Sequence, residues 1–168
     1  MRLAFYICDK GYIAYLTTFD NRVPQVDKGP LLRQRPLIGV VLEIEGNKFY
    51  APVSSPKAKH LKMKNSKDFI KIDSGTYGVI NLNNMVPVLD KYVQEIDIVN
   101  YPIMSKDDLN YVNLLSNQLT WCNSHKQDIT ERAKALYHTI INGLGNEGLT
   151  SRCCNFKLLV EKSKEYNK

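Results

Sequence analysis

The sequence predicts an α+β protein in which helices pack on one side of a mostly antiparallel sheet. Three observations point there. Short β-prone runs separated by turn residues fill most of the first hundred positions. Apolar residues recur at helical spacing after residue 104. The two patterns follow one another instead of alternating, which separates this class from a parallel, doubly wound sheet. With 168 residues and 43% hydrophobic side chains, the chain suits a single domain spanning 1–168.

Residues 3–8 read as a strand. Asp9 then offers an N-cap to a helix in which Tyr12, Ile13, Tyr15, Leu16 and Phe19 mark one face. Residues 20–36 carry three prolines and a glycine and form a polar loop. Residues 37–45 are strongly β-prone. Gly46-Asn47 signals a turn, and residues 48–53 complete a hairpin. Pro52 lacks an N–H, so this second strand should end early or lie on an edge. Further short strands are expected over 69–72, 77–82, 86–89 and 93–99, with a turn at Ser74-Gly75. Ser105 and Asp108 fit a variant capping box, after which Leu109, Val112, Leu115, Leu119 and Cys122 mark a helical face. Ile129, Ala133, Leu136, Tyr137, Ile140 and Ile141 mark a second helix, stopped by Gly143 or Gly145. Residues 155–162 read as a last helix. Trp121 and most tyrosines are core or interface filler.

Several function classes lack support. No apolar run approaches the ~20 residues that cross a bilayer, and the N-terminal residues meet a charge at Asp9 with no leader-like apolar stretch. A cytoplasmic protein with no membrane partner is expected. Cys8, Cys122, Cys153 and Cys154 include an adjacent pair and no C-x-x-C, so reduced, buried thiols are expected. The three histidines are scattered, so no metal site and no cofactor are expected. Nucleotide-phosphate loops of the usual spacings are absent. Gly143-Leu-Gly145-Asn-Glu-Gly148 resembles one superficially, but it follows a helical pattern and reads as a helix-ending turn.

The net charge of +6 is unevenly placed. Residues 1–53 carry seven basic and five acidic side chains, and residues 73–168 carry ten basic and eleven acidic. Residues 54–72 carry six lysines against Asp68 alone, so almost the whole excess lies there. A phosphate backbone is the natural partner of such a cluster, through ion pairing and counterion release. A solvated lysine-rich loop is the plainer alternative.

The same segment begins Ser54-Ser55-Pro56-Lys57 and contains His60. RNA carries its own nucleophile, the 2′-OH. A protein that cuts it needs a proton acceptor, a proton donor, a stabiliser of phosphorane charge and in-line positioning. Lys57 suits charge stabilisation, and Ser55 suits a hydrogen bond to the 2′-OH or a phosphate oxygen. His60 suits a proton shuttle near neutral pH, or else a simple phosphate contact. Arg33 and Arg35 could form an opposite wall of the groove, or surface salt bridges. Tyr77 and Asn81 could read bases, or the asparagines of 81–84 could stabilise a turn.

These residues also resemble a known family. Arg35-Pro-Leu-Ile-Gly-Val-Val-Leu, Tyr50-Ala-Pro-Val-Ser-Ser-Pro-Lys-Ala-Lys-His60 and Tyr77-Gly-Val-Ile-Asn-Leu-Asn-Asn-Met-Val-Pro87 are similar to the ToxN/AbiQ endoribonuclease toxins of type III toxin–antitoxin and phage abortive-infection systems. The opening Phe5-Tyr-Ile and the closing Arg152-Cys-Cys-Asn-Phe-Lys-Leu-Leu159 extend the likeness over nearly the whole chain. The resemblance implies a compact twisted antiparallel sheet, or partly open barrel, like the MazF/Kid toxins, flanked by helices. It implies metal-independent RNA cleavage leaving a 2′,3′-cyclic phosphate and a 5′-hydroxyl. Its implied partners are cellular or phage mRNA as substrate and a tandem-repeat pseudoknot RNA antitoxin, held in a closed protein–RNA assembly. Carried over by position, Ser55 and Lys57 are the catalytic hydroxyl and lysine, with His60 beside them. Ser54, Lys59, Lys62, Lys64, Lys67, Arg33, Arg35, Tyr50, Tyr77 and Asn81 are the expected RNA contacts. One departure stands out: the loop before the Arg35-Pro36 strand has no aromatic residue, where some members present a tyrosine. A non-catalytic RNA-binding module would use the same basic segment. A DNA-binding regulator fits less well, because the lysines do not sit on a recognition helix.

Overall fold

A computed structural model describes residues 2–25 and 36–167. The α+β expectation holds. Among the described residues there are seven strands, Ala4–Cys8 (β1), Leu37–Ile44 (β2), Asn47–Ser54 (β3), Ile70–Lys71 (β4), Val79–Ile80 (β5), Val86–Pro87 (β6) and Val93–Glu95 (β7). The helices are Lys10–Thr17 (α1), Ala58–Lys62 (α2), Lys106–Ser124 (α3), Lys126–Ile141 (α4), Glu147–Arg152 (α5) and Phe156–Glu165 (α6). The strands run β4-β5-β3-β2-β1-β7, with β6 also paired to β3, and every pairing is antiparallel. The order has two ends, so the sheet is open.

Local chemistry explains most of these elements. Asp9 accepts the Tyr12 N–H at 2.8 Å and starts α1, and Ser105 accepts the Asp108 N–H at 3.1 Å and starts α3. The β2–β3 hairpin turns on Glu45 and Gly46, both at positive φ, so the turn sits one residue earlier than Gly46-Asn47 suggests. Helix α4 closes on Gly143 at φ +65, with Leu144 N–H on the Thr139 carbonyl at 2.9 Å and Gly143 N–H on that of Ile140 at 3.2 Å. The short helix α5 lies in a stretch read as a turn.

Pro52 does not behave as expected, because β3 runs on to Ser54 in the middle of the sheet. On one side it pairs with β2, Pro52 opposite Leu37. On the other side its partner changes from β6 (Tyr50 opposite Val86) to β5 (Val53 opposite Ile80). The Pro52 carbonyl accepts from Asn81 N on that second side, so the missing N–H falls where the partner strand changes.

Helices α4 and α6 cover the sheet through an aromatic contact: Phe49 of β3 meets Tyr137 and Phe156 edge-on at 5.5 and 6.1 Å. Tyr12, Tyr92 and Tyr166 tie α1 to α6, and the Tyr12 hydroxyl donates to the Pro87 carbonyl. No disulfide joins the four cysteines and all are buried, as expected. Burial pushes the Cys8 and Cys122 thiols up to about 12, so both remain protonated. No helix among the described residues is long and apolar enough to cross a membrane.

Candidate active site

The lysine-rich segment leaves the sheet at the end of its central strand. Ser54 closes β3, Ser55 and Pro56 turn the chain, and Lys57 is the N-cap of α2. A central strand paired on both sides is a rigid platform, so the two serines start from a fixed position. The loop from Ile72 to Gly78 supports this corner from below. A Cβ at Gly78 would lie 1.9 Å from the Ser54 carbonyl oxygen, and one at Gly75 would lie 2.7 Å from that of His60. Both glycines have φ near +95, where L side chains are strained, so each supplies conformation and clearance together. Gln118 of α3 holds this loop in turn, its Nε2 donating to the Tyr77 carbonyl at 2.8 Å.

The two serines have different surroundings. Ser54 is half-buried and its Oγ accepts from Asn81 Nδ2 at 2.8 Å. Ser55 is exposed, and its hydroxyl has no hydrogen-bond partner among the described residues. Lys57 is exposed beside it. Two residues apart, a hydroxyl and an ammonium with no side-chain partner among the described residues thus lie exposed at the point where the chain turns off the sheet.

His60 points the other way. It is 2% exposed, and its Nδ1 accepts the Lys57 backbone N–H at 3.1 Å while the His60 N–H donates to the Lys57 carbonyl at 2.9 Å. The imidazole therefore closes the first turn of α2 on the residue that carries the candidate ammonium. Burial, and then the Lys59 and Lys57 charges, hold His60 below the usual histidine range and keep it neutral at pH 7. Expected as a proton shuttle, it occupies the place of a positioning residue instead, because its accepting nitrogen is already engaged and its ring is shielded from a substrate.

The charge lies outward. Lys57, Lys59, Lys62, Lys64 and Lys67 are all exposed, and none pairs with a carboxylate among the described residues. Asp68, the one acid of the segment, is turned inward, bound by Arg152 at 3.0 and 3.1 Å and by the Ser66 hydroxyl. Burial raises its carboxyl, but these hydrogen bonds outweigh that and hold it below the usual range. Arg132 anchors the same stretch by donating to the Ser66 and Phe69 carbonyls at 3.0 and 3.1 Å.

Other expected contacts divide. Tyr77 and Asn81 are half-buried behind the corner, and the Asn81 amide is engaged by Ser54. Tyr50 is corrected: at 2% exposure it belongs to the core, its ring against Gly39 of β2 and edge-on to Tyr6 at 5.2 Å. Alternation along β3 places it on the face opposite Phe49, and both faces are buried over 49–53, whereas the turn after Ser54 frees the next residues. Arg33 and Arg35 lie outside the described residues. Gly78 and Gln118 escape the sequence reading as supports of the site, and Gly75 enters it only as part of a turn. A glycine inside an otherwise β-prone run, as at Tyr77-Gly78, is the signal of a close backbone approach and could have identified one of them.

Known proteins are similar to this chain in sequence and fold. A family model described as "Toxin ToxN, type III toxin-antitoxin system" matches residues 4–164. Endoribonuclease ToxN of Pectobacterium atrosepticum is 31% identical over 172 residues, covering 99% of this chain and 95% of that protein. Endoribonuclease AbiQ of Lactococcus lactis subsp. lactis is 25% identical over 178 residues, covering all of this chain and 91% of that protein. The solved structure of AbiQ, described as a lactococcal anti-phage endoribonuclease of a type III system, shares the fold with a TM-score of 0.81 at 22% identity, over 99% of this chain and 98% of that one. A solved structure from a study of selective type III toxin inhibition by a non-coding RNA pseudoknot matches with a TM-score of 0.81 at 28% identity, over 99% of this chain and 98% of the other.

Proposed function

This chain belongs to the ToxN toxin family of type III toxin–antitoxin systems, and on that basis we propose that it is an endoribonuclease toxin that cuts RNA at the Ser55–Lys57 corner and is restrained by a pseudoknot RNA antitoxin. In this reading the antitoxin is a tandem-repeat RNA that closes an assembly with the protein, and the setting is abortive infection. The observation that carries the site is the exposed Ser55 hydroxyl, unengaged among the described residues, beside the exposed Lys57, at the head of a segment in which five of the six lysines face out.

The reaction uses the substrate's own nucleophile. The 2′-oxygen bonds to phosphorus and gives its proton to water at this exposed corner, the P–O5′ bond breaks, and the departing 5′-oxygen takes a proton from water. The products are a 2′,3′-cyclic phosphate and a 5′-hydroxyl. Lys57 meets the negative charge that builds on the phosphoryl oxygens, and Ser55 orients the 2′-OH or a phosphoryl oxygen by a hydrogen bond. Ser54, held by Asn81, fixes the peptide from which Ser55 projects. Neither role requires a metal ion: Lys57 supplies the charge, Ser55 the positioning, and water at the exposed corner takes and returns the protons, which supports metal-free chemistry.

Loss of one charge-stabilising group in a preorganised site costs roughly 10²–10³ in rate. Ser55→Ala and Lys57→Ala should each reduce cleavage of total RNA by about that factor and relieve growth arrest on induced expression. Wild-type cleavage should persist in excess EDTA and yield fragments ending in cyclic phosphate. Full cleavage by both variants would remove the site assignment, and loss of activity in EDTA that Mg²⁺ restores would remove the metal-free route.

A further inference from the structure

A cavity of about 690 Å³ opens between the end of the lysine segment, α4 and α5. Its walls include Lys67, Arg132 and Arg152, and its apolar lining includes Ala135, Leu136 and Leu149. We propose that this cavity takes one unstacked nucleotide of the bound RNA, the base on the aliphatic lining and the phosphate on the cationic wall. The proposal rests on the RNA-cleaving reading above and adds a specificity pocket to it.

Four features agree. The volume lies in the range of small-ligand sites, roughly 300–1,000 Å³. Both guanidiniums are held in place, Arg132 by the Ser66 and Phe69 carbonyls and Arg152 by Asp68, and a fixed guanidinium plane is a stacking surface for a base. Among the described residues none that lines the cavity is acidic, and two of the neighbouring carboxylates face arginines, Asp68 bound to Arg152 and Asp128 at 4.0 Å from Arg132. Finally, the turn that ends α4 places Leu144 at the edge of the cavity, 76% exposed, where a solvated loop has no use for a leucine.

Continuity with the corner identifies the occupant as RNA. Lys67 belongs both to the lysine segment and to the cavity. Five helical residues and four others lie between it and Lys57, and these ten steps limit the distance to roughly 25 Å. A strand laid along the lysines from Ser55 reaches the cavity within a few nucleotides. A base inside a duplex is stacked and paired, so only an unpaired nucleotide can enter.

The test compares two probes, a single-stranded 2′-O-methyl oligoadenylate of about a dozen nucleotides and an RNA hairpin of equal charge whose paired strands are joined by a non-nucleotide linker, so that it holds no unpaired base. The 2′-O-methyl group removes the nucleophile, so binding is measured without cleavage. Ala135→Trp, on the exposed side of α4, fills the cavity, and Leu144→Glu adds a negative charge at its edge. Each variant should bind the single strand about tenfold more weakly, the order of one lost stacked base, and bind the hairpin as wild type does. Because Leu144 is exposed, its replacement does not threaten the fold. Unchanged single-strand affinity in both variants, or equal weakening for both probes, overturns the pocket. Wild-type cleavage of total RNA is scored in parallel. If cleavage is present while the variants bind normally, only the pocket fails; if wild type neither binds nor cuts RNA, the functional reading fails with it.

Discussion

Ser54 and Ser55 are adjacent in the chain and chemically identical, yet Asn81 engages the first and leaves the second free. The consequence is a ranking: removing the Ser55 hydroxyl takes a group from the substrate, whereas removing that of Ser54 takes a support from the backbone. His60 carries a sharper prediction. Its Nδ1 accepts a backbone N–H, and an intramolecular hydrogen bond of this kind contributes about 1 kcal/mol. Glutamine at the third position of a helix can make the same return bond. His60→Gln should therefore retain most of the cleavage rate, while His60→Ala should lose it together with stability. A proton-shuttling imidazole would give the opposite result, with His60→Gln as inactive as alanine. The pH dependence follows from the same residue. In the folded chain its pKa lies below the ordinary value near 6.5, so between the two values the unfolded chain binds the proton and the folded chain does not. Stability is full above about pH 6.5 and declines as pH falls below it. Urea titrations from pH 7.5 downward should show this decline in wild type and not in His60→Gln. Asp68 and Asp20 are also lowered. Burial raises each, but hydrogen bonds from Arg152 and Ser66 to the one, and from Arg22 and Asn155 to the other, outweigh it. Their contribution is lost only in the more acidic range, as pH falls from the ordinary carboxylate value near 4, which keeps the two windows apart.

The junction of β3 and α2 depends on a loop with little regular structure of its own. Gly78 stands against Ser54 and Gly75 against His60, so one loop supports both ends of the candidate site. Gly78→Ala places a methyl 1.9 Å from a backbone oxygen at a strained φ, and the Ser54–Ser55 peptide has to move. A misplacement of about 1 Å at a reacting centre costs on the order of 10²-fold. Gly78→Ala should therefore reduce cleavage by at least tenfold. Gly143→Ala is the matched control. Gly143 has φ +65 and nothing within 4 Å of an added Cβ, so alanine there costs only about 1 kcal/mol of backbone strain and leaves cleavage unchanged. Wild-type cleavage by Gly78→Ala would show that the loop does not position the corner. At this scale the sequence was legible where one residue acts on its near neighbours. Asp9, Ser105 and Gly143 begin and end helices as expected because capping bonds span three to five residues. Pro52 misled because the effect of a missing N–H depends on what lies beside the strand, and residues 79–87 decide that. Helix α5 was overlooked because six residues carry too little periodicity to register.

Across the molecule, the dominant electrostatic fact is that an almost neutral scaffold carries one lysine-rich edge. Single-stranded RNA releases counterions with a salt slope of about 0.7 per neutralised phosphate. Replacing Lys59, Lys62 and Lys64 together with glutamine should therefore reduce the slope of log K against log salt by about 2 and leave the thermal midpoint nearly unchanged, because all three are exposed and none is paired with a carboxylate among the described residues. An unchanged slope would mean that RNA follows another path across the surface. The sequence by itself determined the placement of that charge, the Ser54–Lys57 string that opens it, the order of strands before helices and the likeness to a toxin family, because each of these is a property of residues close together in the chain. Only the tertiary structure decided that Asp68 turns inward to Arg152, that His60 is buried beside the Gly75 loop, that Tyr50 is core, and that a cavity lies between the last lysines and two helices. Those outcomes depend on partners lying up to 84 positions away in sequence. Packing selects such partners by shape and burial, and no local pattern of charge or hydropathy encodes them.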